Sequence, residues 1–330
     1  MRKRLVVYFT GGTICMRFDP AAGGAVPALS GREILESVPG LSDVADLEVI
    51  DFGRYPGPHM TAPLMLDLAA QVRASLSRAE VDGVVVTHGT DTLEETAYLL
   101  DLTIPGPKPV VVVGAMRNAS ELGWDGPPNL LAGARVAASP AAHGLGVLVV
   151  LNDTILAAAE ATKTHTEAFD TFQSPDFGPV GVVDKGEVIV RRAPSRHAPH
   201  HLEATAMAEP VWLIKTTAAM DATIIDAAAA AGARGVVVEG LGRGNVPPAC
   251  VPGIARAIDR GVPVVLTSRC MRGRVLPSYG YPGAGRPLKD LGVIFAPFLS
   301  GQKARVKLAL ALSLTTSPAA LRALFEGNDR

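Results

Sequence analysis

Residues 83–93 read Gly83-Val84-Val85-Val86-Thr87-His88-Gly89-Thr90-Asp91-Thr92-Leu93, a β-branched run that ends abruptly in hydroxyls, a histidine, a glycine and a carboxylate. The valines carry no period-two alternation, so both faces of this strand are buried, the pattern of an interior strand in a parallel sheet. Polar residues just beyond such a strand fall where open α/β sheets form ligand crevices, outside the carboxyl ends of their strands. Working outward, Leu5–Phe9, Val110–Val113 and Val147–Leu151 repeat the apolar run. Helix candidates Pro63–Ser77, Leu93–Leu100 and Asn129–Ser139 alternate with them.

The alternation stops around Arg191–Pro210, a polar segment broken by prolines, which reads as a linker. It resumes with strand Val211–Ile214, helix Ala222–Ala231, strand Gly235–Glu239, helix Val251–Arg260, strand Val262–Thr267 and helix Gly301–Thr315. The expectation is α/β, with two doubly wound α/β domains. Residues 1–195 form the larger N-terminal domain with a parallel-rich sheet and a mobile lid near 15–30. Residues 196–211 are the linker, and 212–330 form the smaller C-terminal domain with a parallel sheet.

Composition narrows the function classes. Lys+Arg (31) and Asp+Glu (32) nearly cancel, to a net charge of −1, which favours neither nucleic acid nor an anionic membrane as partner. Hydrophobic residues reach 48%, yet no apolar run approaches the roughly 18 residues of a membrane span. The basic opening Met1-Arg2-Lys3-Arg4 precedes an apolar stretch too short for a signal peptide, so it reads as the approach to the first strand. Cys15, Cys250 and Cys270 have neither a pairing pattern nor metal spacing, and the odd count suits a reducing cytoplasm. No metal and no cofactor is expected.

Three polar clusters follow apolar strands: Thr10-Gly11-Gly12-Thr13, Thr87-His88-Gly89-Thr90-Asp91-Thr92 and Gly114-Ala115-Met116-Arg117. A fourth, Thr162-Lys163-Thr164, lies beyond Val147–Leu151. Paired glycines bring backbone amides close to a ligand. They could equally form a phosphate loop, but no G-x-x-x-x-G-K-[ST] or G-x-G-x-x-G follows a strand. A threonine hydroxyl needs a partner that takes its proton, and Asp91 with Lys163 could supply one. The competing reading of Asp91 is a helix N-cap before Leu93, with Glu94 and Glu95 favourable in the first turn. Asp125 and Asn129 read as helix-capping and orienting residues, Arg117 as half of a structural ion pair. His197, His200 and His201 read as a solvated linker cluster.

Taken together, Thr10-Gly11-Gly12-Thr13-Ile14 and Gly83–Leu93 resemble the two signature motifs of the bacterial-type asparaginase/glutaminase family. The second matches throughout; in the first, Cys15 stands where a small residue is usual. The resemblance continues through Asp125-Gly126-Pro127-Pro128-Asn129, Leu151-Asn152-Asp153-Thr154, Thr162-Lys163-Thr164, Met220-Asp221-Ala222-Thr223 and Gly301-Gln302-Lys303-Ala304-Arg305, over essentially the whole chain. It implies an amidohydrolase acting on a small-molecule side-chain amide through an acyl-threonine. By the resemblance Thr13 is the nucleophile, and Thr90, Asp91 and Lys163 are the proton-handling set. Gly12, Gly57, Pro58, His59, Gly89 and Ala115 line the substrate, with Asn245 reaching in from a neighbouring subunit. Intimate dimers assembled into a homotetramer are implied as well.

The chain also departs from the family pattern. The segment Met16–Pro27 lacks the lid tyrosine, Ala25 standing at the matching place, and Tyr55 is either its substitute or a packing aromatic. Gly57 replaces a substrate-gripping serine and His59 an acidic neighbour; His59 is a pocket residue or a surface one. Tyr279–Arg286 lacks the glutamate that holds the α-ammonium in some members. Weak activity on free L-asparagine, preference for another amide, or a ligand-binding protein on the same scaffold follow as readings.

Overall fold

The computed structural model describes residues 2–194 and 200–327. The chain divides into two compact units, Met1–Ser195 and Arg196–Arg330. His197 and part of the expected linker lie outside the described residues.

The first unit begins with strands β1 (Arg4–Gly11), β2 (Met16–Asp19) and β3 (Gly24–Pro27), then helices α1 (Gly31–Glu36) and α2 (Leu41–Val44). Strand β4 (Asp46–Tyr55), helix α3 (Ala62–Ser77), β5 (Gly83–Thr87), α4 (Leu93–Thr103), β6 (Val110–Val113) and α5 (Gly126–Ala138) follow. Then come β7 (Val147–Leu151), β8 (Thr154–Ala157), β9 (Thr162–Lys163), β10 (Phe172–Gln173), β11 (Gly181–Asp184) and β12 (Glu187–Val190). Eight strands form one sheet in the order β12-β11-β8-β7-β6-β5-β1-β4. The pairs from β4 to β7 are parallel, while β8, β11 and β12 extend the sheet antiparallel.

Within the parallel part, chain order 2-1-3-4-5 reverses direction between β1 and β5. That reversal is the switch point at which doubly wound sheets open a ligand crevice. Burial sorts the strand residues by face. Leu5, Val7, Phe9, Val85, Val111 and Val113 pack with Leu130, Ala134 and Ala137 of α5. The opposite face carries Tyr8, whose hydroxyl hydrogen-bonds the Ser75 hydroxyl of α3 at 2.8 Å, and α4 packs beside α3. Since α4 and α5 connect strands advancing in the same direction from opposite faces, the β6–α5–β7 crossover has the opposite hand to β5–α4–β6. One of the two is therefore the rare left-handed kind.

Strand β4 has no counterpart in the expected elements. It is an edge strand whose charged residues Asp46, Glu48, Asp51 and Arg54 interrupt its apolar ones, and most of it is half-exposed. Helix α5 starts at Gly126, ahead of the expected Asn129, because Pro127 and Pro128 sit in its first turn, where no amide partner is lost. Asn152 and Asp153, at φ 50° and 55°, form the two-residue turn joining β7 to β8.

The second unit contains β13 (Val211–Lys215), α6 (Thr223–Ala230), β14 (Gly235–Gly240), α7 (Val251–Asp259), β15 (Val264–Ser268) and α8 (Gly285–Asp290). It ends in β16 (Ile294–Phe295), α9 (Gly301–Leu314) and α10 (Pro318–Glu326). The four strands are parallel in the order β13-β14-β15-β16. Alternate residues serve opposite faces: Val236, Val238, Val264 and Leu266 meet Ile225, Ile254 and Leu288. Val211, Val237 and Val265 meet Leu308, Leu312, Leu321 and Phe325. Among the described residues no helix is long and apolar enough to cross a membrane.

Candidate active site

The switch point brings three glycines from separate loops into contact. Gly12 follows β1 at φ +82°; a methyl on it would meet the Gly89 Cα at 2.4 Å. One on Gly89 would meet the Gly57 backbone nitrogen at 2.6 Å. No side chain fits either approach, so glycine here is a packing requirement. The Gly12 amide donates to the Tyr55 carbonyl at 2.9 Å, and the Thr92 hydroxyl donates to the Gly57 carbonyl at 2.7 Å. The first motif, the second motif and the loop after β4 are thereby one backbone assembly.

Thr13 and Thr90 each stand one residue beyond this contact. Thr13 opens a single 3₁₀ turn, Thr13–Cys15, and is half-buried. Thr90 is buried. The Lys163 ammonium donates to the Thr90 hydroxyl oxygen at 3.0 Å and to the Asp91 carboxylate at 2.7 Å. The lysine side chain is 16% exposed and the Asp91 side chain 60%. A hydroxyl has one proton and two lone pairs; with a lone pair taken by the ammonium, the Thr90 proton is left for another acceptor. A cleft of ≈ 360 Å³ lined by Asp91, Glu94, Lys163, Thr164, His165 and Thr166 opens beside this pair.

Asp91 is not the cap of α4. That position belongs to Thr92, and its side chain makes no capping bond because it is committed to Gly57. Asp125, at the N-cap of α5, also caps nothing. Its carboxylate accepts instead from the amides of Met116 and Arg117 at 2.8–3.0 Å. Asn129 donates to the Gly114 carbonyl at 3.0 Å and accepts from the Asn152 amide at 2.9 Å. The two residues clamp the loop after β6, with Ala115 fully buried in it. Arg117, expected in an ion pair, lies over the Phe169 ring at 4.3 Å and donates to the Leu122 carbonyl. The side chain reaches an aromatic face and a carbonyl before any carboxylate.

The remaining candidates are dispersed. Pro58 and His59 are exposed on the 3₁₀ turn Gly57–His59. The Tyr55 ring lies against Gly53 and edge-on to Phe52 at 6.3 Å, a packing aromatic on its own strand. Asn245 belongs to the second unit, in the tight Leu241–Asn245 turn. The segment after Cys15 is a formed hairpin: β2 pairs β3, with Phe18 opposite Ala25. It is tied to the next loop by the Ala119 amide on the Met16 carbonyl and the Phe18 amide on the Ser120 hydroxyl. Among the described residues no group of three His, Cys, Asp or Glu could hold a metal ion.

Two buried titratable groups frame the crevice. Cys15 donates its thiol to the Gly12 carbonyl, and burial pushes that thiol up to about 11, so no thiolate competes as nucleophile at neutral pH. His88 is buried. Desolvation drives its pKa down to about 4, against a smaller opposing effect from the Gly89 carbonyl, 2.8 Å from Nδ1. A folded-state value below the unfolded one means the unfolded chain binds more protons between about pH 6.5 and 4, so stability falls as pH falls through that window. The loss from this one group is about 3 kcal/mol by pH 4. His88→Asn, which keeps a donor for Gly89, should flatten this part of the acid-unfolding curve; an unchanged slope between pH 6.5 and 4 would contradict the assignment.

Fold and crevice define a two-unit α/β protein whose switch-point site is lined by hydroxyls and a lysine–carboxylate pair. Residues 4–196 match the asparaginase N-terminal family model, and residues 210–325 match the glutaminase/asparaginase C-terminal domain. The L-asparaginase of Bacillus licheniformis is 36% identical over 313 residues, covering 95% of this chain and 96% of the relative. A probable L-asparaginase of Deinococcus radiodurans is 40% identical over 327 residues, covering 98% and 97%. The crystal structure of a probable cytoplasmic L-asparaginase from Campylobacter jejuni superposes with a TM-score of 0.89 at 32% identity, covering 98% of this chain and 99% of that one. The chain belongs to the asparaginase family.

Two residues do more in the structure than their sequence context signals. Glu94 suits the helix dipole by its position, yet it is buried and bonded to the Thr162-Lys163 strand. Thr92 has no distinguishing mark within its motif, yet it ties the second motif to Gly57. An acidic residue in a helix first turn carries no sequence mark that tells an inward side chain from an outward one.

Proposed function

We propose that this chain is an amidohydrolase that cleaves the side-chain amide of L-asparagine or a related compound through an acyl-threonine, with no cofactor. The observation that carries the reading is the Lys163 ammonium held between Thr90 and Asp91 beside the Gly12–Gly89 contact. The Thr13 hydroxyl attacks the amide carbon; its proton passes to the Thr90 hydroxyl as Thr90 hands its own to the Lys163 amine, whose extra proton moves to the Asp91 carboxylate. Backbone amides of the Thr90 turn and of Ala115 donate to the developing oxyanion, an arrangement worth several kcal/mol when preformed. The C–N bond then breaks, nitrogen leaves as ammonia with the relayed proton, and water, deprotonated by the same set, releases the acid and regenerates Thr13. Gly12, Gly57, Pro58, His59 and Gly89 line the substrate, and Asn245 of a neighbouring copy completes the site within a cytoplasmic homotetramer. The domains of residues 1–195 and 212–330, joined by a linker over 196–211, and a mobile lid near 15–30 belong to the same proposal.

The hairpin supports a changed specificity. Ala25 offers no hydroxyl, Gly57 no side chain, and a Cβ at 57 would already sit 3.2 Å from the Asp91 Cβ. Each missing bond to a charged substrate group removes about 1.5–3 kcal/mol. Ammonia release should be measured on L-asparagine, L-glutamine and a panel of acylated and lactam amides. The expected result is turnover of at least one linear amide, with free L-asparagine poorly bound. A sub-millimolar KM with fast turnover of L-asparagine would overturn the changed specificity. No ammonia from any amide, with ligand binding retained, would favour a binding protein on the same scaffold.

A further inference from the structure

Glu94 lies in the first turn of α4, where the helix dipole alone would favour a carboxylate. It is nevertheless only 5% exposed, and both its oxygens accept from the Thr162-Lys163 segment. Oε2 accepts from the Thr162 hydroxyl at 2.6 Å, and Oε1 from the Lys163 backbone amide at 3.4 Å. A carboxylate removed from water is costly unless donors hold it, so these bonds pin the Thr162-Lys163 backbone to the start of α4. From that backbone the lysine side chain returns to Thr90 and Asp91, on the turn leading into the same helix. The connections close a ring: Thr90-Asp91, the first turn of α4, the Glu94 carboxylate, Thr162-Lys163, the ammonium, and Thr90 again.

The ring matters because β9 lies outside the main sheet. It is two residues long and pairs with β10, another two-residue strand, outside the eight-stranded sheet. A lysine carries its charge on a flexible four-carbon stem, so Nζ stays in register with two partners only if the backbone end is fixed. We infer that Glu94 is the positioning residue for Lys163, a buried carboxylate that sets the distance from the β9 backbone to the Thr90 hydroxyl. This rests on the proton-handling role proposed for Lys163.

The test is a double-mutant cycle in kcat on whichever amide the wild-type chain turns over, using Glu94→Gln, Lys163→Met and the pair, with thermal midpoints measured alongside. Misplacing a catalytic group by about 1 Å costs on the order of 100-fold, so Glu94→Gln should lower kcat by roughly 10–100-fold with KM within about threefold. In the Lys163→Met background the same substitution should remove almost nothing more, because the group it positions is gone. Equal losses in both backgrounds mean a general structural role and overturn the inference, as does wild-type kcat in Glu94→Gln. Wild-type kcat in Lys163→Met overturns the proton-handling reading itself, a separate result. If Glu94→Gln does not fold, Thr162→Val, which removes the shorter bond and keeps the carboxylate, is read by the same criteria.

Discussion

Thr13→Ala should lower ammonia release by roughly 10⁴-fold or more while leaving the fold intact. The size follows from what is lost. Without the hydroxyl there is no acyl-enzyme at this position, and the amide must be attacked directly by water. Cys15 cannot step in, since its thiol is buried, bonded to the Gly12 carbonyl and held protonated. The cost in stability is small because Thr13 is half-buried at the head of a single 3₁₀ turn, and substitutions away from core or cap features change stability by about 0.5 kcal/mol or less. Ammonia assays and thermal midpoints on the same preparations separate the effects. A variant that keeps a tenth of the wild-type rate contradicts a threonine nucleophile at this position.

Lys163→Met should lower kcat by about 10²–10⁴-fold, the usual contribution of a positioned proton-transfer group. Methionine fills much of the lysine stem without the charge. Asp91 tolerates the change, because its side chain is 60% exposed and water replaces the ammonium. Thr90 is buried and loses a partner, which costs about 1–3 kcal/mol of stability. The loss should fall on kcat with KM little changed, since the lysine bonds protein groups in the free enzyme. A kcat within about threefold of wild type, or a change confined to KM, would assign the pair to structure alone.

The interior strands were legible in the sequence because they are buried throughout; β13 was legible as well, although three of its five residues are exposed. β1, β5, β6 and β7 are continuous apolar runs because helices cover both faces, and the same holds for β14 and β15 in the second unit. β4 lies at the sheet edge, where charged residues interrupt its apolar ones, so it read as loop. Its omission hid the 2-1-3-4-5 order and with it the switch point. The sequence pattern starts α5 at Asn129 rather than Gly126, because Pro127 and Pro128 carry no apolar periodicity, although a first turn tolerates them. In the site, Thr13, Thr90 and Asp91 were visible as polar residues ending apolar strands. Lys163 was reachable chiefly through family resemblance, because β9 is two residues long and outside the main sheet. The contact of Gly12, Gly89 and Gly57 was invisible locally, since three loops distant in sequence make it.

The central claim is a covalent bond, and its formation can be measured. The protein would be mixed with a slowly processed amide, quenched in acid during turnover, and the intact chain and its proteolytic peptides weighed by mass spectrometry. The account predicts one acyl group per chain on the peptide that contains Thr13, lost in Thr13→Ala. An acyl group on Thr90 or another side chain, or ammonia release that persists in Thr13→Ala, would contradict it.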